Sequence, residues 1–145
     1  MKRMDHVGIA VNNIEDALKL YVDMLNLTPW DRGIVEIADK GLKVVLLPIG
    51  ENNIELLQPT NPENREARFL RERGEGLFHI TIETDNFDTD VKTLKEKGFA
   101  VEEEVTTGLF HGYMLRLAWL PPEDTQGVWI ELVDLASVPA SLKRH

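Results

Sequence analysis

Asp5-His6-Val7-Gly8-Ile9-Ala10-Val11-Asn12-Asn13-Ile14 lies, without a gap, over Phe78-His79-Ile80-Thr81-Ile82-Glu83-Thr84-Asp85-Asn86-Phe87. The overlay sets His6 on His79, Asn13 on Asn86 and Ile14 on Phe87. Each stretch opens as a short apolar run of β-like composition and closes on an Asn that can cap a helix. A two-copy repeat, rather than an array of many, predicts a pseudo-twofold domain, and it governs how the rest of the chain is read.

Outward from each copy the same order of elements follows. After the first, Ile14, Ala17, Leu18, Tyr21, Val22 and Leu25 fall at the spacing of an amphipathic helix. Strand candidates come next at about 35–37, 43–48 and 53–57, separated by the turn residues Asp39-Lys40-Gly41 and Gly50-Glu51-Asn52-Asn53. After the second copy a helix is predicted from Phe87 to Lys97, with Val91 and Leu94 on its apolar face and Gly98 stopping it. Strands are predicted at about 103–105, 114–119 and 128–133. Ile54-Glu55-Leu56 thereby matches Ile130-Glu131-Leu132.

The reading is α+β: two βαβββ modules, at about 4–59 and 77–134, in one domain spanning 1–145. A linker at 60–76 joins them and a tail, 135–145, follows with no role assigned. The linker opens with Pro59 and Pro62 and carries its own short helical pattern through Ala67, Phe69 and Leu70. Its Arg65, Arg68, Arg71 and Arg73 are expected to form a solvated face.

Each module contributes one His near the start of its first strand and one Glu in the middle of its last. The separations agree, 49 residues from His6 to Glu55 and 52 from His79 to Glu131. A lone strand His or Glu is ordinarily structural. Two of each at corresponding places are different, because equivalent positions converge on a pseudo-twofold axis. Glu55 and Glu131 also sit inside apolar strands, where a carboxylate is costly to bury without compensation. A divalent cation would compensate both, and a His2Glu2 set suits Zn, Co, Mn, Ni or Fe(II). His111, in a Gly-rich turn, reads as loop or lid, and His145 is terminal.

Composition narrows the function. The 145 residues, 43% hydrophobic, suffice for an ordinary core. A net charge of -9 argues against nucleic acid and anionic membranes, which are bound through excess Lys and Arg. With no cysteine, disulfides and thiolate metal sites are excluded. No stretch approaches the roughly 18 apolar residues needed to span a bilayer. The start of the chain lacks a signal-peptide core, so a cytoplasmic location is expected.

Over about residues 4–134 the chain resembles the vicinal oxygen chelate (glyoxalase/bleomycin-resistance) superfamily, and within it the methylmalonyl-CoA epimerase branch. Asp5 to Val11, Lys40 to Pro48, Ile54 to Pro59, Phe69-Leu70, Arg73 to Gly76, His79-Ile80 and Gly127 to Leu132 carry the likeness. The resemblance implies a curved mixed-sheet partial barrel around the metal, with His6, Glu55, His79 and Glu131 as ligands. It implies a divalent ion (Co2+, Mn2+, Ni2+ or Zn2+), a small-molecule acyl-CoA substrate and, by analogy, a homodimer. The implied reaction removes the proton alpha to a thioester and returns it from the other face, through a metal-stabilised enediolate.

Asp39 stands where the epimerases carry one base, a Glu, and is one methylene shorter. Glu36 is a substitute nearby, and Glu131 would be the second base while also binding metal. Phe78 and Leu120 replace histidines common in that branch. Trp119 and Trp129 fit cavity lining and core packing alike. These departures keep other functions open: a glyoxalase-type isomerase or lyase on another oxyacid or thiol adduct, an extradiol-type dioxygenase using His6, His79 and Glu131, or a drug-binding resistance protein.

Overall fold

A computed structural model describes residues 1–110, 112–136 and 138–142. His111 and His145, noted in the sequence, lie outside the described residues. In the first half β1 (Arg3–Ala10) leads to α1 (Ile14–Leu25), β2 (Val35–Ile37), β3 (Leu42–Ile49) and β4 (Asn52–Pro59). After α2 (Arg65–Arg73) the order repeats: β5 (Gly76–Glu83), α3 (Phe87–Glu96), β6 (Glu102–Thr106), β7 (Leu115–Leu120) and β8 (Trp129–Asp134). Most of the predicted strand bounds shift by a residue or two, as frayed element ends do.

All three helices start on an Asn. Asn13, Asn64 and Asn86 each accept a hydrogen bond from a backbone N–H three residues on, of Asp16, Ala67 and Thr89. These caps satisfy donors that the first helical turn otherwise leaves unpaired. α1 ends on Asn26 in the left-handed region, with φ 53°.

The eight strands form one mixed sheet in the order β2-β3-β4-β1-β5-β8-β7-β6. β1 pairs parallel with β4, β5 pairs parallel with β8, and β1 joins the halves by pairing antiparallel with β5. The sheet curls into a half-barrel whose two halves repeat one topology. Its convex face is covered by helices. Ile14, Ala17, Leu18, Tyr21 and Val22 of α1 pack on Val45, Leu47 and Leu56, and Phe87 and Val91 of α3 pack on Ala118 and Leu132.

Alternation along each strand follows from the two-residue pleat. Leu56 and Leu132 turn outward under their helices, so Glu55 and Glu131, one residue away, turn into the concave face. One end of that face is apolar, with Trp30, Leu46, Phe110, Leu115, Leu117 and Val133 packed together. Among the described residues no helix is long and apolar enough to cross a membrane.

Candidate metal centre

The concave face encloses a cavity of about 420 Å³ lined by His6, Glu55, His79 and Glu131 together. All four are buried, 2–7% exposed. Strand register brings them into reach. Gly8 pairs with Glu55 on one side and with His79 on the other. Thr81 likewise pairs with Glu131 and with His6.

The distances are those of a cluster. His6 Nε2 lies 3.1 Å from His79 Nε2 and 3.7 Å from a Glu55 oxygen. His79 Nε2 lies 3.7 Å from the other Glu55 oxygen. The donor atoms of His6, Glu55 and His79 all fall within 4.8 Å of one another. Glu131 stands one step outside this trio, with Oε1 4.0 Å from His6 Nε2.

Gly8 is required by the site. A Cβ there would lie 2.2 Å from Cε1 and 2.4 Å from Nδ1 of His79, so the imidazole occupies space that any side chain would fill. Asp5 is a partner that sequence reasoning left unused: its Oδ2 lies 2.8 Å from His6 Nδ1. A carboxylate on Nδ1–H fixes the ring and leaves Nε2 aimed at the cluster, as ligand histidines require.

The electrostatics show what the trio lacks. Burial alone would lower the His6 imidazole, but the carboxylates of Glu55, Glu131 and Asp5 and the Asp5 hydrogen bond raise it to about 9. Burial, with the positive charges of His6 and Arg65, drives His79 the other way. Burial raises Glu55, and pushes Glu131 up to about 8 against the pull of His6. Among the described residues no Lys or Arg forms an ion pair with Glu55 or Glu131, so the His6 imidazole is the cationic group these two buried carboxyl groups face. Two nitrogen and two carboxylate donors at these separations match a small divalent cation with bonds of about 2.0–2.2 Å. The residues present fit such an ion.

Helix α2 corrects the expectation of a wholly solvated arginine face. Arg71 and Arg73 are exposed, but Arg65 lies 4.5 Å over the Trp119 ring and 5.1 Å over that of Trp129. It also pairs with Glu104 at 2.6 Å and Glu102 at 3.2 Å. Lys40 reaches the same Glu104 at 3.6 Å, so the cation pair ties the end of β2 to β6 across the open side of the half-barrel. The first turn of α2 lies over the cavity because its apolar residues Phe69 and Leu70 pack on Phe78, Leu57 and Ala10. The same turn buries Glu66 to 4% exposure on the cavity wall, and burial pushes that carboxyl up to about 7. A charged residue in an Arg-rich segment carries no sign of this in the sequence.

Trp119 serves both roles left open above. It packs in the core beside Phe78 and it lines the cavity. Asp39 sits in a 3-10 turn, Ala38–Lys40, and is exposed. From that turn the cavity is lined by Ile37 and Lys40, while neither Asp39 nor Glu36 reaches its wall.

Comparison with known proteins adds three findings. A model of the glyoxalase/bleomycin resistance protein/dioxygenase superfamily matches residues 5–114. The mitochondrial methylmalonyl-CoA epimerase of Homo sapiens is 35% identical over 132 residues, 90% of this chain and 72% of that one. Among solved structures, methylmalonyl-CoA epimerase from Mycobacterium tuberculosis is similar at TM-score 0.79 and 28% identity, covering 90% of this chain and 86% of the other. That of Streptomyces coelicolor, in complex with 2-nitronate-propionyl-CoA, is similar at TM-score 0.81 and 28% identity, covering 92% and 97%.

Proposed function

The chain belongs to the glyoxalase/bleomycin resistance protein/dioxygenase superfamily, and we propose that within it the protein is a divalent-metal-dependent epimerase of an acyl-CoA, methylmalonyl-CoA first among substrates. The observation that carries this reading is the buried set His6, Glu55, His79 and Glu131 on one cavity wall. It is joined by the likeness to epimerases, one of them solved with an acyl-CoA analogue.

His6, Glu55 and His79 would hold the ion, with Glu131 as the fourth donor. Bound there, a divalent ion supplies Lewis-acid stabilisation of negative charge on substrate oxygens. The residues do the rest. Glu131, at the edge of the trio, takes or returns the alpha proton on one face. Breaking that C–H bond leaves its electron pair delocalised onto the thioester oxygen, and return of a proton to the opposite face inverts the centre. The second base is Asp39 by resemblance, exposed in the turn between Ile37 and Lys40, which both line the cavity. The apolar wall of Trp119, Leu117 and Val133 keeps water from the carbanion, and the Asp5–His6 hydrogen bond holds one ligand ring in place. An acyl-CoA substrate fits a cytoplasmic enzyme, and pairing into a homodimer is the usual arrangement of soluble oligomers.

The test follows alpha-proton exchange of racemic methylmalonyl-CoA in heavy water by NMR, with Co(II)-loaded and metal-free protein. Exchange that requires the metal supports the reading. Stoichiometric Co(II) binding with no exchange rejects this substrate. With Asp39→Asn, loss of inversion identifies Asp39 as the second base, and unchanged inversion assigns that role elsewhere.

A further inference from the structure

Most carboxyl groups on the cavity wall are already engaged. Glu55 and Glu131 belong to the metal-centre set, and Asp5 holds His6. Glu102 and Glu104 pair with Arg65, and Glu63 is exposed. Glu66 remains. It is 4% exposed and, among the described residues, forms no ion pair. A carboxyl buried beside Ala67 in the first turn of α2 costs stability and meets no cation there to offset it. Such a cost without a structural return points to a group kept for chemistry.

Packing places this carboxyl where a second base is wanted. The Asn64 side chain, which caps α2, donates to the carbonyls of Lys40 and Gly41. The start of the helix is thereby docked on the 3-10 turn, Ala38–Lys40, from which resemblance draws that base. The turn leaves Asp39 exposed, while the helix beside it puts the longer Glu66 side chain on the wall. Glu131 rises from β8 in the sheet and Glu66 comes from the helix laid over the cavity, so a substrate between them meets a carboxyl on each face. Burial first, and then the charges of Glu104 and Glu55, push the Glu66 carboxyl up to about 7 against Arg65 and its own backbone N–H. A group titrating near neutrality both holds and releases a proton.

We propose that Glu66 is the catalytic acid–base group serving the face of the substrate opposite Glu131. This rests on the epimerase reading, and it gives to Glu66 the part that resemblance alone gives to Asp39. Glu66 donates its O–H proton to the alpha carbon. The electron pair delocalised onto the thioester oxygen forms the new C–H bond, and Glu66 is left as a carboxylate. In the reverse direction that carboxylate takes the proton, and the C–H electron pair returns to the thioester oxygen.

The experiment starts from one enantiomer of methylmalonyl-CoA in heavy water, with Co(II)-loaded wild type, Glu66→Gln and Glu66→Asp. NMR follows alpha-deuterium incorporation, circular dichroism follows inversion, and calorimetric titration follows Co(II) binding. Glu66→Gln keeps the side-chain shape and removes the acid. Its kcat for inversion should fall by about 100-fold or more, within the range of a positioned acid–base group, at nearly constant KM and unchanged Co(II) affinity. Deuterium incorporation should persist without inversion for the enantiomer whose alpha proton faces Glu131. Glu66→Asp, which keeps the carboxyl on a shorter arm, should recover part of the rate. Inversion by Glu66→Gln within threefold of wild type overturns the proposal. So does equal loss in both variants accompanied by loss of Co(II) binding, which marks a structural role. Wild type that binds Co(II) but neither exchanges nor inverts rejects the acyl-CoA reading, and this proposal with it.

Discussion

Gly8→Ala is the sharpest test of how the metal centre is built. Gly8 is not among the glycines of positive φ, so alanine meets no backbone penalty there and the effect of the substitution is steric. The new Cβ would stand 2.2 Å from His79 Cε1. Carbon atoms in good contact are about 3.5–4.0 Å apart, so the ring must retreat by more than ~1 Å. It has nowhere easy to go. His79 is 2% exposed and is held edge-on by the rings of Phe78 and Trp119, each with centroids at 5.3 Å, and of His6 at 5.2 Å.

Forcing a methyl into such packing costs about 1–3 kcal/mol. Metal ligation is stricter, because ligand distances tolerate only about 0.2 Å. A ring displaced by several times that ceases to be a ligand. The expected loss of Co(II) affinity exceeds the ~10–100-fold typical of losing an outer hydrogen-bond partner. Calorimetric titration with Co(II) measures it, and thermal melting with and without chelator separates the lost ligand from lost stability. Wild type should melt several degrees higher with metal than without, and Gly8→Ala should show little of that difference. Binding of Co(II) by Gly8→Ala within threefold of wild type would refute both the Gly8–His79 packing and His79 as a ligand.

Three further outcomes follow from the same geometry. Cation binding must displace the proton on His6, whose neighbouring carboxylates raise it to about 9. Co(II) affinity should therefore rise between pH 6 and 8, by up to about tenfold per unit for each proton released, and titrations in buffers of different ionisation enthalpy count the protons. In metal-free protein, Glu66 is raised by burial to about 7 and Glu131 to about 8. A raised native pKa gives stability that is complete below the unfolded value and lost as pH climbs through the native one. Glu66→Gln should then gain on wild type by about 3 kcal/mol between pH 5 and pH 8 in urea unfolding, from a shift of ~2.5 units at 1.36 kcal/mol each, and an equal gap at both pH values would contradict it. Asn13→Ala and Asn86→Ala each remove one helix cap at equivalent places in the repeat, so each should cost about 1 kcal/mol and the double variant the sum.

Much of this molecule is legible in its sequence because the relevant information is local or repeated. Asn13 and Asn86 mark helix starts by residue type alone, and the two-residue pleat puts Glu55 and Glu131 on the face opposite Leu56 and Leu132. The overlay of residues 5–14 on 78–87 then pairs His6 with His79 and predicts that four donors meet.

The rest depends on distances between residues far apart in the chain. Gly8 and Thr81 occupy one repeat position, but only register across three strands shows that one admits an imidazole and the other donates a hydrogen bond to a carboxylate. Arg65 and Glu66 belong to a charged segment whose solvent-facing reading fails because Phe69 and Leu70 lay that helix turn over the cavity. Asp39 has the right place in the sequence for a base by resemblance, while its 3-10 turn leaves it exposed and off the cavity wall. Periodicity determines which face a side chain takes; which groups meet across that face, and how closely, is decided by strand pairing and packing, which no local pattern encodes.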